Sequence, residues 1–266
     1  MSKSKVVFVL ALTLAFSSPS LASAAKPTPK PPPGPTPTPG PSIVYVTLGF
    51  DDGNADQDAV RSMLSAHAMH ATFYISSGLI GDSAHLTWEQ LAGLYADGNE
   101  IGGHGLTHTR LTRLSSAALR QEVCGDRLNL FNHGFQPSSF AYPFGSYNST
   151  TIQALKDCGY NSGRTVAMGP DTIPPADPYA TEAMTLVKSS TSLATIQGWI
   201  TQAEQSGAGW VQLIFHHVCD NCNVYSITAG DLNALLDWLQ PRAAHGTVVK
   251  TAGEVIGGAV QPPIAP

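Results

Sequence analysis

Apolar residues fall along this chain in short runs rich in Val, Ile, Phe and Tyr, each closed by Gly, Pro, Asp or His. Runs of this kind read as strands. They predict strands over 43–50, 71–75, 100–103, 139–143, 160–166, 210–215 and 247–250. Helical patterns lie between most of them. Thr87-Trp88-Glu89-Gln90 is a capping-box start. After Leu114, the residues Cys124, Leu128, Phe131 and Phe135 recur at helical spacing and predict one buried helix face. Residues 229–239 predict another helix. Strand and helix alternate, which implies parallel strands joined by crossover helices, an α/β barrel or sheet.

Folds of that class gather reactive groups at the carboxyl ends of their strands. Here the first strand ends in Asp51-Asp52-Gly53 and the third in Gly103-His104, with His108 four residues further on. The fourth ends in Pro143-Phe144-Gly145 and the sixth in His216-His217. Two imidazoles and one carboxylate are a common catalytic metal set that leaves room for a water. The spare carboxylate is placed to be its base, so the constellation predicts metal-dependent hydrolysis. Because side chains alternate along a strand, Asp51 and Asp52 are expected to face different partners, and only one of His216 and His217 faces the rim. We select His216, a residue type suited to donating a proton to a leaving group. Glycines 102, 103 and 105 predict an irregular loop for the histidine pair. His67, His70, His85, His133 and His245 show no partner pattern.

Charge and composition narrow the partners. The formal net charge is −5, there is no basic block, and charged residues make up 12% of the 266. Nucleic acid is thereby excluded, and a surface of Ser, Thr, Asn and Gln suits a neutral, hydroxyl-rich partner. Trp88, Trp210 and Tyr147 are candidates for stacking on sugar rings. At the start, Lys3 and Lys5 precede an apolar run too short to span a bilayer, and small residues follow in an Ala-x-Ala pattern. We expect a signal peptide over 1–24, a Pro/Thr-rich linker over 25–42, a single catalytic domain over 43–257 and a flexible tail over 258–266. That order predicts a secreted or cell-wall-associated protein with no membrane span once the signal is removed, and we expect a monomer. The four cysteines of an exported chain predict disulfides. Cys219 with Cys222 would close a tiny loop and Cys124 with Cys158 would join two helices, although three pairings exist on paper. A thioredoxin-like site at Cys219 is disfavoured because no helix start follows it.

The motifs, in this order over nearly all of 43–256, resemble the polysaccharide deacetylase family of carbohydrate esterases, the family with the NodB homology domain and family 4 among the esterases. The resemblance implies a distorted (β/α)7-type barrel. It implies removal of N- or O-acetyl groups from an acetylated polysaccharide such as chitin, peptidoglycan, poly-N-acetylglucosamine or xylan. It implies a divalent metal, zinc first, with cobalt, nickel or manganese as alternatives. By the same resemblance Asp51 is the general base, Asp52, His104 and His108 the metal ligands, and His216 the general acid. The family's third motif carries an arginine that holds the base, and this chain has Ala141 there instead. Arg164, on the next strand, is the candidate replacement, and the backbone N–H of Phe144 is the candidate oxyanion donor. The fourth motif is not visible, and Asp171, Asp177 and Glu182 all remain open as the residue that orients His216. Two other readings stand beside this one: hydrolysis of small cyclic amides, and a sugar-binding protein with a decayed site.

Overall fold

In the computed structural model, residues 43–207 and 209–266 are described, and they fall within one compact unit. The expected signal peptide and linker lie outside the described residues. Among the described residues no helix is long and apolar enough to cross a membrane.

In chain order the strands are β1 (Val44–Asp52), β2 (Thr72–Ile75), β3 (Glu100–Gly103), β4 (Ser139–Ala141), β5 (Ser162–Met168), β6 (Thr181–Ala183), β7 (Gly209–Phe215), β8 (His217–Val218), β9 (Ser226–Ile227) and β10 (Thr247–Val249). The helices are α1 (Val60–Ala66), α2 (Trp88–Ala96), α3 (Ser116–Asn132), α4 (Ser149–Cys158), α5 (Leu193–Ser206), α6 (Ala229–Leu239) and α7 (Ala252–Ile256). β1 is buried along nearly its whole length, as suits a strand with parallel neighbours on both edges and side chains packed on both faces. One edge pairs with β7, Val44 opposite Gly209 through Phe50 opposite Phe215. The other edge takes β10 along its first half and β2 along its second. The sheet continues through β3, β4, β5 and β6, every pairing parallel.

The sheet curls back on itself. Past β6 the chain runs beside β7, with Met184 N donating to the Gln212 carbonyl at 2.9 Å and Val187 N to that of Ile214 at 3.0 Å. Strands β1 to β7 thus form a distorted barrel with helices outside. The main core fills the space between sheet and helices, with Leu48, Phe50, Phe73, Ile101, Leu213 and Leu236 fully buried. Rings of Phe73, Phe50 and Phe215 stack across adjacent strands.

The predicted 247–250 strand is present as β10 and pairs with the start of β1 alone. β6 is not among the predicted strands, because a three-residue strand carries too little pattern to show. The helix face predicted from Cys124, Leu128, Phe131 and Phe135 is only partly right. Leu128 and Phe131 are half-buried, Phe135 lies beyond the end of α3, and the buried positions are Leu119, Val123, Cys124 and Leu130 together with Glu122, Asp126 and Arg127. An apolar count passes over polar residues that point inward. Arg127 is satisfied there by the carbonyls of Pro137, Cys158, Gln261 and Pro262 at 2.7–3.1 Å, the last two from the exposed C-terminal stretch. Disulfides Cys124–Cys158 and Cys219–Cys222 are both formed, the first tying α3 to α4.

Candidate active site

The C-terminal ends of β1, β3, β4 and β7 open on one cavity of about 370 Å³, lined by Asp51, Asp52, His104, His108, Phe144 and His216 together with Tyr142, Gly145, Val166, Leu186 and Tyr225. Of the predicted site residues only Arg164 is not in that lining. It sits directly behind it.

Asp51 and Asp52 reach the cavity together, which strand alternation alone does not allow. The cause is a change of backbone conformation at the last residue of β1: Asp52 has φ 74° and Gly53 follows at φ 80°. A left-handed aspartate is uncommon and tends to mark a functional position. His108 is a second such residue, at φ 53°. The loop prediction for the histidine pair also needs adjusting. Gly102 and Gly103 belong to β3, and the irregular stretch begins at His104.

Asp52, His104 and His108 each offer one ligand atom, all within 4.8 Å of one another. Asp52 Oδ1 is buried without a hydrogen-bond partner, yet it lies 3.3 Å from Nε2 of His104 and 3.3 Å from Nε2 of His108. Bonds of about 2.0–2.1 Å to a tetrahedral zinc-like ion would set neighbouring ligand atoms about 3.3 Å apart. The donor set and its orphaned oxygen therefore fit a divalent metal. His104 is further prepared: its Nδ1 donates to the Ala141 carbonyl at 2.7 Å, which leaves the Nε2 lone pair facing Asp52. Electrostatics agree. Burial works against the Asp52 carboxylate, but the adjacent imidazoles outweigh it and hold the group well below the usual carboxylate range. Burial, then the charge on His104, push His108 down to about 4, so its imidazole is neutral at neutral pH.

Asp51 is buried, and Arg164 Nη2 stands 2.6 Å from both of its oxygens. Arg164 is the register partner of Ala141 across β4 and β5. A guanidinium thus reaches Asp51 from the strand beside the one that carries Ala141. Arg164 is also stacked over Tyr74, 5.0 Å from the ring centre.

His216 lines the cavity, and burial lowers its pKa against the opposing pull of Asp51 and Asp52. Its Nδ1 is buried without a partner. None of the three acidic candidates reaches it in the hydrogen bonds found. Asp171 accepts from the amides of Thr172 and Glu182, and Asp177 caps Tyr179. The backbone of His216 is fixed instead: Gln57 Nε2 donates to its carbonyl at 2.7 Å and to that of Asp51 at 2.6 Å, with Asn54 adding a third contact at 3.2 Å. Sequence reading missed Gln57, since a glutamine in a short helical turn carries no signal. His217 turns away to Asp56, 2.8 Å from Nδ1 to Oδ2. Asp56, Cys219 and Cys222 make a second cluster of metal-ligand types, but both thiols are taken by the disulfide.

Phe144 is left-handed at φ 59° and exposed, its ring 4.6 Å from His108 and under the Arg110 guanidinium at 4.8 Å. Of the aromatic candidates for sugar stacking, Trp210 is excluded: it is buried, with Nε1 donating to Thr47 Oγ1 at 2.8 Å. Trp88 stacks on His133 away from the cavity. Tyr147 is exposed and stacks on the cavity residue Tyr142.

The sequence profile described as polysaccharide deacetylase matches residues 38–163. The Bacillus subtilis protein YxkH, which bears a polysaccharide deacetylase name, is 35% identical over 128 residues, 47% of this chain and 45% of YxkH. The peptidoglycan-N-acetylmuramic acid deacetylase PdaC of the same organism is 30% identical over 115 residues, 42% of this chain and 24% of PdaC. The chain thus aligns with less than half the length of these relatives. Among solved structures, a Mycobacterium smegmatis protein with a polysaccharide deacetylase name superposes with a TM-score of 0.63 at 15% identity, covering 85% of this chain and 93% of that one. The family 4 carbohydrate esterase of Streptomyces lividans, solved in complex with acetate, gives 0.53 at 19% identity over 77% of this chain and 91% of that one. At these identities the structural likeness carries the fold.

Proposed function

We propose that the chain is a member of the polysaccharide deacetylase family, carbohydrate esterase family 4, whose profile matches residues 38–163, and that it is a metal-dependent hydrolase that removes N- or O-acetyl groups from a polysaccharide outside the cell or in its wall. The observation that carries this reading is the orphaned Asp52 oxygen equidistant from two imidazoles, in the same cavity as Asp51 and His216.

Asp52, His104 and His108 would hold the ion, zinc by preference. A bound divalent metal would polarise the acetyl carbonyl and lower the pKa of a water. The protein's own groups do the rest. Asp51, aimed by Arg164, takes the proton from the attacking water. The Phe144 N–H donates to the oxygen on which charge develops. His216 returns a proton to the leaving nitrogen or oxygen. Val166, Leu186 and Tyr225 give the cavity an apolar side suited to an acetyl methyl.

Acetate release from acetylated chitooligomers, acetylxylan and peptidoglycan tests the proposal. Release from at least one of them supports it and names the polymer. Release from none, with hydrolysis of a small cyclic amide, replaces it.

A further inference from the structure

The segment that carries His104 and His108 has no helix or strand beyond β3 to hold it. Its backbone N–H groups are nonetheless taken, one after another, by two acidic residues of α3. His104 N and Gly105 N both donate to Asp126 Oδ2 at 3.1 Å. Leu106 N donates to the backbone carbonyl of Glu122 at 3.1 Å. Thr107 N donates to Glu122 Oε2 at 2.9 Å and Thr107 Oγ1 to Glu122 Oε1 at 2.6 Å. The other Asp126 oxygen accepts from Ser77 N at 3.1 Å, which ties the same carboxylate to the end of β2.

Glu122 and Asp126 are four apart on one helix and so share a face. Both are buried, Asp126 completely, and neither has a cation within ion-pair distance among the described residues. Buried carboxylates without a counter-ion are costly. An apolar side chain at either position would fill the space but accept nothing. What the carboxylates supply is acceptors for the backbone N–H groups of His104, Gly105 and Thr107, while His104 N is shared with the Ile75 carbonyl at 2.9 Å and Leu106 N is taken by the Glu122 backbone. β3 is shaped to let them approach: a Cβ on Gly103 would collide with the Tyr160 hydroxyl and lie 2.8 Å from Asp126 Oδ2. The Thr107–Glu122 pair also sits immediately before His108, whose left-handed backbone needs external support.

We propose that Asp126 and Glu122 are positioning residues that clamp the backbone of 104–107 and so fix the separation and aim of His104 and His108. The inference rests on the reading of Asp52, His104 and His108 as a metal set. Its test is metal affinity, which does not depend on turnover: cobalt(II) titration of the metal-free protein, followed by visible absorption, for wild type, Asp52→Ala, Asp126→Asn, Glu122→Gln and the remote control Asp237→Asn. Asp126→Asn puts an amide N–H against backbone N–H donors. Losses of this kind weaken metal sites about tenfold to a hundredfold. We expect that loss for Asp126→Asn in protein that remains folded, a smaller loss for Glu122→Gln, and none for Asp237→Asn. If Asp126→Asn does not fold, Glu122→Gln decides by the same criterion. Wild-type affinity in the folded Asp126 variant, with binding lost in Asp52→Ala, overturns the clamp and leaves the metal set standing. Undiminished binding in Asp52→Ala overturns both.

Discussion

Arg164 and Asp51 come from strands that are not neighbours, yet one guanidinium nitrogen touches both carboxylate oxygens at 2.6 Å and both side chains are almost fully buried. Breaking a buried ion pair from one side costs about 3–5 kcal/mol. Arg164→Ala should therefore lose stability of that order and at least about a hundredfold in kcat, because Asp51, the proposed base, is no longer aimed. Lysine will not restore the contact, having no planar fork. The double variant Ala141→Arg, Arg164→Ala returns a guanidinium from the neighbouring register position. Recovery of part of the lost kcat in the double variant is the expected result.

His216 should separate from the metal set in its effects. Removing a general acid typically costs about 10²–10⁴ in rate. His216→Ala should show that loss in kcat with unchanged metal affinity, since its side chain lines the cavity but lies outside the Asp52–His104–His108 group. The pairing of kinetics with a metal titration on the same protein checks both halves.

His108 makes the metal-free protein sensitive to acid. Its folded pKa is about 4, pushed down by burial and then by the His104 charge, against about 6.5 when unfolded. A depressed imidazole contributes stability that is full above the unfolded pKa. That stability is lost as pH falls from about 6.5 to about 4, because the unfolded chain takes a proton that the folded one refuses. His216, also lowered, acts in the same direction. Urea unfolding of metal-free wild type and His108→Gln across this window should show the wild type losing about 3 kcal/mol more than the variant.

The two disulfides should differ in weight. Cys124–Cys158 spans 34 residues and Cys219–Cys222 only 3. Chain-entropy reasoning gives about 4 kcal/mol for the longer loop and about 2 kcal/mol for the shorter. Denaturation midpoints of the two double-serine variants measure the ratio.

Much of this arrangement was legible in the sequence because strands and rim residues announce themselves together. The apolar runs ending at Phe50, Gly103 and Phe215 lead straight into Asp51, His104 and His216, and the parallel pairing of β1 with β7 brings the first and last side by side. Arg164 could be reached only through the family resemblance, which expects an arginine where Ala141 stands and so directs attention one strand over. Other features left no trace. The left-handed turn at Asp52 that points both carboxylates into one cavity is a backbone choice that alternation arguments miss. Gln57, Glu122 and Asp126 act through backbone groups, so no partner motif marks them. β6 is too short to show a period, and Trp210, which resembles a sugar platform by type, is consumed by the core.

The central claim is that hydrolysis depends on one metal ion held by Asp52, His104 and His108. The most direct test is acetate release from an acetylated oligosaccharide that the enzyme accepts, measured on chelator-stripped protein as zinc is added back. The account predicts no release from stripped protein, a rise that saturates near one ion per chain, and no rise in Asp52→Ala. Full release from stripped protein, or full recovery in Asp52→Ala, would contradict it.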